Sequence, residues 1–214
     1  MAKNENTSRP NRNTFVAAVS GGGKSQAARH VRENLRIKRV LAWDPDHDHQ
    51  VSTRVTSIRA LTEFLKVHGD SSAFSVAYSG DDSPEAMELF CACAWAILDG
   101  NKETVVIIEE VADAMTTSGK ALPNAGRLIR RIRKYGGVLI AVTQRPQEIP
   151  KTLFSQCNIK LIGQQDTADV KRMAERVGVP VSEIENLQEL EFWMKDTGKP
   201  AEKIRVKYKA KPKK

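Results

Sequence analysis

A chain of 214 residues, 40% of them hydrophobic, supports one sizeable core and is too short for two domains of ordinary size. Thirty-four Lys and Arg against 26 Asp and Glu leave a formal net charge of +8, a balance that favours polyanionic partners such as nucleic acid or an acidic membrane surface. Three cysteines without even spacing exclude a disulfide framework, and no apolar run reaches bilayer length or the core of a signal peptide, so a soluble intracellular protein is expected.

Residues 1–13 are dominated by Asn, Ser, Pro and Arg and read as a flexible polar arm ahead of a domain over residues 14–208. Within the domain, apolar runs of strand length fall at residues 14–19, 39–43, 73–78, 104–108, 137–142 and 159–162, with helical patterns between most of them. Cys91 and Cys93 lie in one such helical run and read as reduced core thiols, as does Cys157. Strands separated by helices imply right-handed crossovers, hence an α/β fold with a mostly parallel central sheet flanked by helices and ligand chemistry at the carboxyl ends of the strands. Residues 191–195 and 203–208 read as a short hairpin or edge pair, and residues 209–214 as a disordered basic tail.

The first strand runs into Ser20-Gly21-Gly22-Gly23-Lys24-Ser25, followed by the helix-forming Gln26-Ala27-Ala28-Arg29. Glycines let backbone N–H groups turn inward around phosphate oxygens, and a helix start adds partial positive charge. Residues 20–26 are therefore the candidate ATP-binding loop, with Lys24 on the β- and γ-phosphates and Ser25 on Mg²⁺. Ala18 stands where the full phosphate-loop pattern carries a glycine.

The run Thr104–Ile108 ends in two adjacent carboxylates, the pattern of a Walker B strand. Glu109 is expected to support Mg²⁺ through water, and Glu110 to act as general base on the attacking water. Glu109 is one methylene longer than the usual aspartate. The strand at 137–142 delivers Gln144 to the same sheet edge, within reach of a γ-phosphate or the lytic water. Asp44-Pro45-Asp46-His47-Asp48-His49 alternates carboxylates and imidazoles and can be read as a metal site or as a loop beside the nucleotide.

With Arg133-Lys134-Tyr135-Gly136-Gly137 before that strand, Thr143-Gln144-Arg145-Pro146 after it and Ser155-Gln156-Cys157-Asn158 further on, the chain resembles the HerA–FtsK superfamily of RecA-like P-loop ATPases. The likeness is strongest to the small genome-packaging ATPases of membrane-containing icosahedral viruses such as tectiviruses, and covers roughly residues 14–178. The resemblance implies the nucleotide-side role of the loop after Trp43, and an arginine acting in trans on a neighbouring subunit's ATP. That arginine is Arg133 here, with Arg130 as the alternative. It further implies a homo-oligomeric ring that hydrolyses ATP to move or package double-stranded DNA, in the host cytoplasm or on the virion, docked to portal or membrane-vertex proteins. Residues 116–120 are the candidate pore loop. A filamentous-phage-type assembly ATPase, a P-loop switch or kinase, and a nonenzymatic DNA-binding protein are the competing classes.

Overall fold

Alternation within the apolar runs decides how the layers form. In the first strand, β1 (Thr14–Ala17), Phe15 and Ala17 enter one core cluster while Val16 enters the other, and in β5 (Thr104–Ile108) Val106 and Ile108 part from Val105 and Ile107 in the same way. Strands buried on both faces demand cover on both faces. The computed structural model describes residues 1–115 and 122–210.

The remaining strands are β2 (Arg39–Trp43), β3 (Thr53–Val55), β4 (Phe74–Tyr78), β6 (Gly137–Thr143), β7 (Ile159–Ile162), β8 (Glu191–Asp196) and β9 (Glu202–Arg205). Among the described residues they make a nine-stranded sheet in the order β3-β4-β2-β5-β6-β1-β7-β8-β9. The first seven are mutually parallel, and β8 and β9 add an antiparallel hairpin at one edge. The expected parallel α/β sheet is therefore the observed one. Strand β6 lies between β1 and β5, so whatever follows β6 sits between the glycine loop and the paired carboxylates.

One face of the sheet is covered by α2 (Ile58–His68), α3 (Pro84–Ala96), α4 (Val111–Ala114), α5 (Pro123–Arg131), α6 (Lys151–Gln156) and α7 (Thr167–Val177), whose apolar residues join a single cluster. Their starts are marked in sequence: Ser57 Oγ accepts from Ala60 N, Ser83 Oγ from Ala86 N with Pro84 following, and Asp166 from Ala168 N. The start of α5 has no capping side chain of its own, and Glu88 of α3 accepts from Asn124 N and Ala125 N instead. The opposite face carries α1 (Lys24–Leu35) with Ala27 and Ala28 against the sheet, and Val31, Leu35, Ile159, Met194 and Ile204 there are only partly buried. No helix among the described residues is long and apolar enough to cross a membrane.

Residues 1–13, expected as a flexible arm, are laid along the amino ends of β5 and β6. Lys3 N donates to Leu98 O, Gly100 N to Lys3 O and Asn6 N to Lys134 O, while Arg9 donates to Gly100 O and pairs with Glu103. Composition hides this, because the segment is held mainly by its backbone and by the side chains of Arg9, Asn11 and Asn13 on main-chain carbonyls. The residues expected as a pore loop, 116–120, and the tail beyond residue 210 lie outside the described residues.

Arg39, 2% exposed, ties the amino edge of the sheet together. Its guanidinium donates to Thr104 Oγ1, Gly69 O, Ser71 O and Ile97 O, and it stacks over Phe74. Removing it strands three carbonyls in the interior, each costing about 1–3 kcal/mol unpaired. Arg39→Met is expected to lose about 3 kcal/mol or more of stability, read as a lower urea midpoint at unchanged slope.

Candidate active site

The loop after β1 folds as its glycines dictate. Gly21 and Gly23 hold φ of +78° and +91°, where a Cβ is strained, and Gly23 closes the loop as the residue that caps α1. No acidic residue of α1 itself occupies its first turn. A Cβ on Gly23 would lie 2.6 Å from Leu190 Cδ2, and Leu190 N donates to Gly22 O at 3.4 Å. The turn before β8 thus presses on the phosphate loop, a contact that no sequence motif announces.

Lys24 Nζ lies 3.1 Å from Glu110 Oε1, and Glu110 Oε2 accepts from Gln144 N at 3.2 Å. One carboxylate therefore joins the phosphate loop, the end of β5 and the end of β6. Glu110 is held at φ +44°, a left-handed conformation costly for a side chain with a Cβ, of the kind that functional sites retain. Arg145 turns away from this junction to pair with Asp113 and with Glu148.

Glu109 is almost fully buried and its Oε1 lies 2.6 Å from His49 Nε2. Burial pushes its pKa up, against the lowering effect of the bond to His49. Its Oε2 is buried without a hydrogen-bond partner. Ser25 Oγ donates to Asp48 Oδ2 at 2.7 Å. A serine hydroxyl and the carboxylate it touches are hard oxygen donors that suit Mg²⁺. Among the described residues no three ligating side chains converge, so a cation here needs nucleotide oxygens to complete its shell.

Gln26 is turned outward. Its amide exchanges hydrogen bonds with Lys209 N and O, and Arg29 and Glu33 of α1 also hold Lys209. Ser20 is exposed at the mouth of the loop. Arg133 is far from all of these: it precedes β6, at the opposite sheet edge from the loop that follows β1, and donates to Thr7 O and Arg9 O. Arg130 is exposed. Burial pushes the Cys157 thiol up to about 12 and raises that of Cys91 as well, in keeping with core thiols.

No protein-family model matches the chain. Protein P9 of Pseudoalteromonas phage PM2 is 37% identical over 208 residues, spanning 94% of this chain and 93% of that protein. Among solved structures, the genome packaging NTPase B204 of Sulfolobus turreted icosahedral virus 2, in complex with AMPPCP, is similar with a TM-score of 0.71 at 14% identity, covering 94% of this chain and 100% of that one. VirB4 of Thermoanaerobacter pseudethanolicus follows with a TM-score of 0.60 at 15% identity, over 94% of this chain and 90% of that one. At such identities the structural likeness speaks for the fold.

Proposed function

From the membership of this chain in the family of phage PM2 Protein P9, within the HerA–FtsK type of P-loop ATPases, we propose that it is a viral genome-packaging ATPase that turns over ATP·Mg²⁺. The observation that carries the reading is the Glu110 carboxylate spanning Lys24 and Gln144 N. An amine, a carboxylate and a main-chain donor meet there beside a helix N-terminus, the set needed to hold a triphosphate and to orient water in line with it.

Ser25 would hold Mg²⁺, which would supply neutralisation of the charge developing on the phosphates. The protein's part is to bind and to place protons. Lys24 exchanges Glu110 for phosphate oxygen as nucleotide enters, and the released carboxylate accepts the proton of the attacking water. Gln144 holds that carboxylate through its backbone N–H, and its side-chain amide is assigned to the γ-phosphate or the lytic water. Ser25 supports the cation side, and the backbone of residues 20–26 supports the phosphates.

The finer reading is a homo-oligomeric ring coupling hydrolysis to movement of double-stranded DNA, with Arg133 reaching a neighbour's nucleotide and portal or membrane-vertex proteins as docking partners. Its support is the B204 likeness, the net charge of +8 and the partly apolar α1 face, which a neighbouring subunit can cover. Hydrolysis measured against protein concentration, with and without double-stranded DNA, is expected to rise steeply and to be stimulated by DNA. Turnover proportional to protein and indifferent to DNA would leave an ATPase and remove the motor.

A further inference from the structure

The turn between β2 and β3 has no task in the mechanism so far, yet it is built with care. Asp44, fully buried, accepts from Asp48 N through Oδ1 at 2.7 Å and from His49 N through Oδ2 at 3.1 Å, and Arg54 pairs with the same Oδ2 at 2.8 Å. His47 adopts a φ of +59° to let the chain double back. One buried carboxylate thereby fixes two consecutive residues. Asp48 meets the hydroxyl of Ser25, and His49 meets the carboxylate of Glu109.

Those two contacts divide the acids of the site. Glu109, the acid expected on the metal from the strand pattern, spends one oxygen on a buried imidazole and keeps the other buried. Asp48 is half-exposed and shares the hydroxyl at the start of α1, on the phosphate side. Mg²⁺ keeps several of its waters, and a carboxylate that reaches solvent and touches the loop serine is placed to meet that shell. Resting on the ATPase reading, we propose that Asp48 supplies the carboxylate that holds the nucleotide's divalent cation beside Ser25. Glu109, clamped by His49, is then a positioning residue for the neighbouring Glu110.

The test is binding of a fluorescent non-hydrolysable ATP analogue to the full chain, with Mg²⁺ and with chelator. Wild type is expected to bind more tightly with Mg²⁺. Asp48→Asn keeps metal-free affinity and folding but loses about 10-fold or more of the metal enhancement, the usual scale for a lost metal contact. Glu109→Gln retains most of the enhancement. Full enhancement in Asp48→Asn, or an equal or larger loss in Glu109→Gln, overturns the assignment of the cation to Asp48 while leaving the ATPase. Absence of analogue binding by wild type in both conditions overturns the ATPase reading and this inference with it. Asp48→Glu, which keeps the charge, is expected to recover part of the enhancement; no recovery in a folded protein also counts against the proposal.

Discussion

Glu110→Gln is expected to bind ATP and leave it uncleaved, with turnover reduced about 10²–10⁴-fold, the usual contribution of a general base. The amide keeps the shape of the side chain, and its oxygen still accepts from Gln144 N. It cannot take a proton from water. It also removes the ion pair with Lys24, so the lysine meets incoming phosphate without a rival and affinity is held or raised. Lys24→Ala is the contrasting case, losing affinity and turnover together because the amine acts on the phosphates in both ground and transition states. Nucleotide retention and single-turnover phosphate release separate the two, and rapid cleavage by Glu110→Gln would remove Glu110 from the chemistry.

Arg133→Ala is expected to lower turnover by about 10³–10⁵-fold at unchanged ATP affinity, the range seen when an arginine that stabilises the transferring phosphoryl group is removed. Within one chain Arg133 cannot do this, because it precedes β6 while the phosphate loop follows the parallel strand β1. Action on a neighbour is the remaining route. Mixing Arg133→Ala with Lys24→Ala subunits is then expected to restore activity at interfaces where an intact loop faces an intact arginine. No recovery on mixing, or full activity of Arg133→Ala with loss in Arg130→Ala, would dismiss Arg133. Since Thr7 O and Arg9 O accept from the same guanidinium, the thermal midpoint is measured alongside, so that release of residues 1–13 is not mistaken for lost chemistry.

The sheet was legible because its central strands are apolar on both faces and are bounded by glycine loops and capped helices. The runs at 39–43, 104–108 and 159–162 match β2, β5 and β7 residue for residue. Strand β3 escaped notice: three half-buried residues at a sheet edge leave neither an apolar run nor an alternation to read. At the site, residue types marked the phosphate loop and the paired acids, since that chemistry needs them at fixed spacing. The pairings were not legible. That His49 takes Glu109 and Asp48 takes Ser25 depends on how Asp44 folds a turn, and which of two alternating acids or imidazoles points inward has no periodic signature. The packing of Leu190 on Gly23 depends on a hairpin docked from the far end of the chain.

That packing makes the phosphate loop part of a longer cooperative unit. Leu190 N is bound to Gly22 O, and Leu190 O in turn accepts from Val206 N, so the loop, the turn before β8 and the segment after β9 share one chain of backbone bonds. Any ligand that binds only the ordered loop therefore suppresses opening of the β8–β9 edge as well, by about 2.7 kcal/mol at a hundredfold excess over its dissociation constant. The edge hairpin becomes a reporter of nucleotide occupancy, stiff when the loop is filled and looser when it empties.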